Sequence, residues 1–542
     1  MFQKYFKTTL SIAFILFYVL ETQAQKQQDR PKIVVGIVVD QMRWDYLYRY
    51  QDRYSEGGFK RLLRQGFTCE NTHIPYSQTA TGPGHTCVFT GSIPSVHGIV
   101  ENDWYDRSID KKVNCVEDPD ATGVGGPREG ARRSPKQLLT TTIGDEMKLA
   151  NNKNSKVVGI SIKDRGAIIP AGHMADGAYW YDKRTGKFVT SSYYMEHLPD
   201  WVEAFNDREL ADYFLTKKWE PLFPIETYHQ STEDDKDYEG TMIGKKSPTF
   251  PYDFSTTDKD YGSLRSAIYG NTLVFEMGKA AIEGENLGSS GFTDLLTLSF
   301  SATDAMGHRV GPNAIEIEDM YLRLDRELAE FFQFLDEKYG ENGYLFFLTA
   351  DHGASQSPGY LLENDLPGGA FELTFLDEID QMGKQKFGID KTILTMVNAE
   401  VYLNWEEIKS RNINEDQLMD QIIQILNRHE GFVDAWPKKD LASAPWPDII
   451  KNRFINGHHH YRSGDIAVII RPGWKTSIKG ADHGLWYPFD AHIPLVWMGW
   501  NVSPGYTNRY IEMSDIAPTI AAMLKIQMPS GSVGTPIQEL TD

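Results

Sequence analysis

The stretch K-I-V-V-G-I-V-V-D, from Lys32 to Asp40, decides the fold class of this 542-residue chain. Its almost unbroken run of β-branched apolar residues is typical of a central parallel strand that is buried on both faces. The run ends at Asp40, and a carboxylate at the carboxyl end of a buried strand lies where open α/β sheets bind their ligands. An aspartate in an ordinary turn is the alternative interpretation.

Similar apolar runs follow along the chain and alternate with helical patterns. The predicted strands cover residues 156–162, 294–300, 344–350, 465–470 and 493–498, and the predicted helices cover residues 54–65, 85–91, 270–284, 314–339 and 514–525. This alternation predicts an α/β fold with a mostly parallel central sheet sandwiched by helices. Two segments of different character, at about 171–260 and 358–462, are predicted to be inserted cap regions.

Composition narrows the classes of function. The hydrophobic share of 41% and the aromatic share of 12% indicate a well-cored globular protein. The formal net charge of −20 argues against nucleic acid or an anionic membrane surface as a partner. An anionic substrate would therefore need a local positive site, built from metal ions or from a few Lys and Arg side chains.

The N-terminus has the pattern of a secretory signal over residues 1–24, with Lys4 and Lys7 ahead of an apolar run. That run is too short for a stable membrane span. We therefore expect residues 25–542 to form an exported catalytic domain, periplasmic or extracellular, without a membrane anchor. The oligomeric state stays open, and a monomer is compatible with the sequence. The pairing of Cys69, Cys87 and Cys115 also stays open.

The stretch S-Q-T-A-T-G-P-G-H-T, from Ser77 to Thr86, places hydroxyls before a Gly/Pro turn and a predicted helix start. Free backbone N–H groups and the helix dipole favour an anion at such a point. We interpret Thr81 as a nucleophile that attacks a phosphoryl group. A polar turn with an N-cap is the alternative for this stretch alone. Thr79 lies two residues earlier, but the P-G-H that follows favours Thr81.

Three further side chains are candidates for binding phosphoryl oxygens. Asn102 lies in a loop, where a neutral amide can donate a hydrogen bond, although a turn asparagine is the alternative. Lys163 and Arg165 follow the strand predicted at 156–162, and in extended structure they point to the same side. Two cations there could hold phosphate oxygens, whereas a solvated surface pair is the usual alternative.

Six Asp and His residues are candidate metal ligands. Four of them stand just after apolar strand runs, so one edge of the sheet could gather them; the six are Asp40, Asp304, His308, Asp351, His352 and His483. Oxygen and nitrogen ligands of these types suit zinc in an open catalytic site. Two metals together stabilise the entering and leaving oxygens of an in-line displacement. The triplet His458–His460 is interpreted instead as a polar loop.

Together these motifs resemble the alkaline phosphatase superfamily. The resemblance is carried by Asp40, T-G-P-G-H, D-A-M-G-H, D-H-G at Asp351, a second D-H-G at Asp482 and the terminal D-I-A-P-T-I helix. Asn102 and K-D-R narrow it to the phosphate-irrepressible (PafA-type) zinc alkaline phosphatases. The resemblance covers most of the chain from Lys32 onward.

The resemblance implies two Zn²⁺ ions and an exported phosphomonoesterase that forms a phosphothreonine intermediate. It implies that Asp304, His308 and His483 hold one zinc. It implies that Asp40, Asp351 and His352 hold the other, which Thr81 completes. It also implies that Asn102, Lys163 and Arg165 bind the phosphoryl oxygens.

The nearest alternative is a phosphodiesterase or nucleotide pyrophosphatase of the same superfamily. Lys163 and Arg165 favour the monoester, since they add positive charge where the dianion carries its extra oxygen. A sulfatase is disfavoured because Thr81 stands where that family requires a Cys or Ser for conversion to formylglycine. A mutase or transferase, and a metal-independent binding protein, remain as alternatives for experiment to separate.

Overall fold

The computed structural model describes residues 30–242 and 245–541. The signal segment predicted at residues 1–24 lies outside the described residues. Within them, helices and strands alternate around one large sheet.

The central sheet has ten strands. In spatial order from one edge to the other they are Gly505–Thr507, Phe67–Cys69, Leu495–Gly499, Tyr344–Thr349, Ile33–Val39, Asp294–Phe300, Val157–Ser161, Gly177–Asp182, Lys187–Ser191 and Gly123–Val124. The five strands from Tyr344–Thr349 to Gly177–Asp182 are mutually parallel. The outer strands add antiparallel pairings on both sides. The predicted α/β class is confirmed, with a sheet that is parallel in its centre.

The strand Ile33–Val39 lies in the middle of this sheet, and all seven of its residues are buried. Its register pairs Val39 with Phe300 on one side and Val38 with Thr349 on the other. The carboxyl ends of these three strands therefore lie level. Residues that follow them directly must meet at one edge of the sheet, which we call the catalytic edge.

Helices pack around the sheet through a continuous apolar core. The longer helices outside the second insertion are Thr81–Thr90, Ile143–Ala150, Asp164–Ala171, Ile268–Gly284, Ala302–Val310, Ile315–Tyr339 and Ile516–Leu524. The helix predicted at 54–65 begins later, at Phe59, where the Asp325 carboxylate accepts the backbone N–H of Phe59. The helix predicted at 85–91 begins earlier, at Thr81, so Thr81 is its first residue rather than a loop residue before it.

The first predicted insertion, at about 171–260, contains two strands of the central sheet, Gly177–Asp182 and Lys187–Ser191. This part of the segment therefore belongs to the main sheet. The aromatic composition that suggested an insertion reflects burial, since Tyr179, Trp180 and Tyr181 all lie inside. The rest of the segment holds two short helices, Asp200–Asn206 and Leu210–Leu215, a small antiparallel pair of strands, Lys218–Trp219 and Tyr252–Asp253, and short turns and irregular chain.

The second predicted insertion forms a unit with its own apolar core, which we call the cap (residues 358–475). Its antiparallel sheet has the spatial order Ile393–Val397, Glu400–Leu403, Ile466–Ile470 and Phe432–Pro437, and its longer helices are Thr374–Phe387, Glu415–Asn427 and Asp448–Gly457. The strand predicted at 465–470 lies in this sheet and not in the central one, because its partners are cap strands. The cap therefore extends beyond the predicted boundary at 462.

Cys69, Cys87 and Cys115 are buried and unpaired, as small apolar residues. Across residues 30–242 and 245–541, no helix has both the length and the hydropathy that a membrane crossing requires.

Candidate active site

The catalytic edge brings all six predicted metal ligands together. Asp40 follows the strand Ile33–Val39, and Asp351 and His352 follow Tyr344–Thr349. Asp304 and His308 lie one turn apart on the helix Ala302–Val310, which begins where Asp294–Phe300 ends. His483 reaches the same place from a loop. The level strand ends bring these side chains together, as the sequence predicted.

Asp304, His308 and His483 form the first group of candidate ligands. Oδ1 of Asp304 lies 3.2 Å from Nε2 of His308 and 3.5 Å from Nε2 of His483. The two imidazole Nε2 atoms lie 3.1 Å from each other. The three ligand atoms thus surround one point.

The hydrogen bonds of the other ring nitrogens fix the tautomers in this group. Nδ1 of His308 lies 3.2 Å from the carbonyl oxygen of Ala481, and Nδ1 of His483 lies 2.7 Å from that of Thr79. A carbonyl oxygen only accepts, so each Nδ1 carries a proton and the two Nε2 atoms face each other. Against the effect of burial, the Asp304 carboxylate raises the pKa of His308 to about 9, so without an ion His308 holds a second proton, in a position that a metal ion would take. This donor set fits a metal ion.

Asp40, Asp351 and His352 form a second buried group. Nε2 of His352 lies 3.4 Å from Oδ1 of Asp40 and 3.6 Å from Oδ2 of Asp351. Its Nδ1 lies 2.9 Å from the carbonyl oxygen of Gly353, so Nε2 again presents a lone pair. These three side-chain atoms are buried and have no hydrogen-bond partner. Buried polar atoms are seldom left so, and a cation would satisfy all three.

Asp304 lies between the two groups. Its carboxylate comes within ligand spacing of Asp40 and His352 as well as of His308 and His483. Asp351 contacts this set through His352, with 3.6 Å between Oδ2 of Asp351 and Nε2 of His352. The structure therefore gathers the six residues as one continuous cluster, with Asp304 at its centre.

The ionisation of the cluster reflects its burial. Burial lowers the pKa of His352 to about 4 and that of His483 to about 3, so both rings are neutral near pH 7. Burial, with Asp304 and Asp351 nearby, raises the pKa of Asp40. The carboxylates and neutral rings together attract positive charge.

Thr81 lies beside this cluster, and its side chain is almost fully buried. It is the first residue of the helix Thr81–Thr90, so it stands at the positive end of the helix dipole. Gly84 lets this helix approach the cluster, because a Cβ there would lie 2.3 Å from the backbone oxygen of Asp351. The helix start and the catalytic edge are thus in direct contact.

Lys163 joins the nucleophile candidate to the metal-ligand candidates. Its Nζ lies 3.3 Å from Oγ1 of Thr81, 2.7 Å from Oδ2 of Asp40 and 2.5 Å from Oδ2 of Asp304. The predicted extended conformation of K-D-R is wrong, since Asp164 already begins the helix Asp164–Ala171. Lys163 is the extended residue before this helix, and Arg165 lies within its first turn.

Asn102 and Arg165 complete the predicted set. Oδ1 of Asn102 accepts the backbone N–H of Gly82 at 2.8 Å, which ties Asn102 to the residue after Thr81. The guanidinium of Arg165 lies 4.0 Å from Asp164, and its buried Nε has no hydrogen-bond partner. Arg165 therefore keeps donors available for a ligand.

Sequence reasoning missed two residues that orient this cluster. Gln41 adopts a left-handed backbone, donates its side-chain amide to Oδ1 of Asp304 at 2.8 Å and donates its backbone N–H to Asp351. His85 places Nδ1 2.9 Å from the carbonyl oxygen of Thr81, its hydrogen-bond partner, and 3.3 Å from Oδ2 of Asp351. The position of Gln41 directly after Asp40, and that of His85 one helical turn after Thr81, were the available signals.

A model of the type I phosphodiesterase / nucleotide pyrophosphatase family matches residues 34–487. This match covers most of the chain and includes Thr81 and all six candidate ligands.

Two curated relatives match over nearly their whole length. Alkaline phosphatase PhoV of Synechococcus elongatus is 45% identical and covers 98% of this chain and 99% of its own. Alkaline phosphatase PafA of Elizabethkingia meningoseptica is 45% identical and covers 96% of each.

A crystal structure of wild-type alkaline phosphatase PafA superposes with a TM-score of 0.93 at 44% identity, and it covers 95% of this chain and 99% of its own. A second PafA structure, in which a threonine, an asparagine, a lysine and an arginine are replaced, superposes equally well.

Proposed function

The chain belongs to the type I phosphodiesterase / nucleotide pyrophosphatase family, within the alkaline phosphatase superfamily, and on this premise we propose how it works as an alkaline phosphatase. It hydrolyses phosphate monoesters and releases inorganic phosphate. The observation that carries the mechanism is the buried Thr81 hydroxyl, which lies against Lys163 beside a cluster of candidate metal ligands.

Thr81 acts as the nucleophile. Its Oγ1 forms a bond to phosphorus while the ester P–O bond breaks and the alcohol leaves with a proton from solvent. The proton of the Thr81 hydroxyl is lost to solvent in the same half-reaction. A water molecule then attacks the phosphothreonine, which releases phosphate and restores the hydroxyl.

The residues of the two groups would hold two Zn²⁺ ions, one with Asp304, His308 and His483 and one with the remaining three ligands. Ions in these positions would supply Lewis acidity, which would favour loss of the Thr81 proton and departure of the alcohol oxygen. The support for two ions is the pair of facing Nε2 atoms and the three unpartnered buried atoms of the second group. Gln41 orients the carboxylates of Asp304 and Asp351.

Lys163, Arg165 and Asn102 bind the phosphoryl oxygens. The ammonium of Lys163 already lies beside Oγ1 of Thr81, where a phosphoryl group would bind. Arg165 keeps free donors at the start of its helix. Asn102 is held by the N–H of Gly82, which orients its amide toward the same helix start.

The substituted PafA structure supports this assignment. Its replaced side chains are of the same four types as Thr81, Asn102, Lys163 and Arg165. Its threonine and asparagine are separated by as many residues as Thr81 and Asn102, and its lysine and arginine by as many as Lys163 and Arg165.

The family model also names phosphodiesterases, so diester hydrolysis is the second candidate. The cations Lys163 and Arg165 favour the monoester, because a monoester dianion carries one more charged oxygen than a diester. We also propose that the protein is exported after removal of residues 1–24, on the charge and hydropathy pattern of that segment alone.

A substrate panel tests the function. Zinc-loaded wild type and Thr81→Ala would be assayed on an aryl phosphate monoester, a diester and a sulfate ester, with Thr81→Ser as the conservative variant. We expect the monoester to be the preferred substrate, and we expect Thr81→Ala to lose about 10⁴-fold in kcat/KM while Thr81→Ser retains activity. A preference for the diester, or full activity in Thr81→Ala, would contradict the proposal.

A further inference from the structure

A cavity of about 230 Å³ lies between the catalytic edge and the cap. On the side of the catalytic edge, Asp482 and His483 line it. On the other side it is lined by the cap residues Phe371, Leu373, Met396, Asn398, Ile470 and Trp474. Most of the cap lining is apolar or aromatic.

This cavity adjoins the candidate active site through two of its lining residues. One is His483, whose Nε2 lies 3.1 Å from Nε2 of His308. The other is Asn398, at the tip of the hairpin between Ile393–Val397 and Glu400–Leu403, which donates its amide to the buried Glu101. The second oxygen of Glu101 accepts the backbone N–H of Asn102 at 2.8 Å.

The charged groups of the lining do not favour a second anion. The ammonium of Lys475 donates to the carbonyl oxygens of Lys479, Gly480 and Ala481, so it is already occupied. Asp482 and Asp490, the other ionisable lining residues beside His483, are acidic. An uncharged, largely apolar group suits this cavity better than a phosphate or a carboxylate.

We propose that this cavity binds the alcohol part of the phosphate monoester and selects alcohols that carry an aromatic ring or an alkyl group of similar size. His483 belongs to the group of Asp304, His308 and His483 and lines the cavity, so a leaving oxygen held at that group would place its substituent in the cavity. An apolar cavity of about 150 Å³ accommodates benzene, so the present volume holds one ring with space for its linker. This inference rests on the proposed phosphomonoesterase activity.

The test compares methyl phosphate with benzyl phosphate, because their leaving alcohols have nearly the same basicity and differ in the ring. Wild type, Trp474→Ala and Leu373→Ala would be assayed, with Trp436→Ala as a matched cap variant outside the cavity. Leu373 is 46% exposed, so its truncation leaves folding intact even if Trp474→Ala does not. Inhibition constants for methylphosphonate and benzylphosphonate give a readout that does not depend on turnover of the ester.

We expect wild type to favour the benzyl over the methyl compound by about tenfold in kcat/KM and in inhibition. We expect Trp474→Ala and Leu373→Ala to reduce this preference, and Trp436→Ala to retain it. Equal values for both compounds in wild type, or an unchanged preference in both cavity variants, would overturn the inference. If neither ester is hydrolysed but benzylphosphonate still binds better in a Trp474-dependent way, the proposed function fails and the cavity assignment stands.

Discussion

Buried polar atoms lack hydrogen-bond partners at the catalytic edge, whereas they are paired at the contact between the cap and the main sheet. At the catalytic edge, Oδ1 of Asp40, Oδ2 of Asp351 and Nε2 of His352 are buried without a partner. At the cap contact, the buried carboxylate of Glu400 accepts from Lys438, from Gln78 and from the backbone of Gly464.

This difference separates what the two regions contribute. An unpartnered cluster gains most from a ligand that it binds, whereas a fully paired network contributes to the folded state and gains nothing from a ligand. Changes at the catalytic edge should therefore affect metal content and activity, and changes at the cap contact should affect stability.

The largest effect is expected from loss of a metal ligand. His308→Ala and His352→Ala should each bind one zinc fewer per chain than the two expected for wild type, and should lose about 10³-fold or more in kcat/KM. Elemental analysis and kinetics measure both quantities. His459→Ala, in the histidine triplet after the helix Asp448–Gly457, is the control and should keep both ions. Two ions per chain in either variant would contradict the role of that histidine as a metal ligand.

Arg165→Ala should have the next largest effect. It removes donors for the extra charged oxygen of the monoester, so monoesterase kcat/KM should fall by about 10²-fold or more and diesterase activity much less. Kinetics on one aryl monoester and one diester measure the ratio. Arg61→Ala, which removes a largely buried arginine paired with Asp336, should leave both activities unchanged. Equal losses on both substrates in Arg165→Ala would count against the role of this cation.

Lys438→Ala tests the expected effect on stability at the contact between the cap and the main sheet. It leaves the buried Glu400 without the Lys438 amine that donates to it, which should cost about 3 kcal/mol in the free energy of unfolding. Denaturant unfolding measures this cost. Lys439→Ala is the matched control, because the side chain of Lys439 is half exposed and pairs with the exposed Asp416. A small cost in Lys438→Ala would mean that the buried pair does not anchor the cap.

The smallest effect concerns pH and Glu101. Burial raises the pKa of Glu101 to about 7 from its usual 4.5, so the folded state binds an extra proton between these values. Its contribution to stability is present below pH 4.5 and is lost as the pH rises through 7, by at most about 3 kcal/mol. The free energy of unfolding of Glu101→Gln, relative to wild type, should therefore rise between pH 5 and pH 8. A difference that does not change with pH would contradict this assignment.

The sequence predicted the fold class and the meeting of the ligand candidates, because four of the six lie at, or one turn beyond, the end of a buried apolar strand. A parallel sheet brings such ends together whatever its loops do. His308 lies one turn further along the helix of Asp304, and His483 comes from a loop, where the G-A-D-H-G stretch at Gly480–Gly484 was the signal.

What the sequence did not predict depends on contacts between distant segments. The strand Ile466–Ile470 has the same apolar pattern as the central strands, and only its pairing with Glu400–Leu403 assigns it to the cap. The role of Gln41 depends on a left-handed backbone, and the conformation of Lys163 depends on where its helix begins. The cavity joins residues more than 100 positions apart, which no local pattern reveals.

The cluster of candidate metal ligands also has a consequence for the lifetime of the protein. Ligands that bind only the native state stabilise it by mass action, and these side chains lie together only in the folded chain. Resistance to proteases should therefore follow the zinc concentration of the surroundings. Copies made where zinc is scarce would be degraded sooner than zinc-loaded copies. The supply of metal would then determine the amount of the enzyme as well as its catalytic rate.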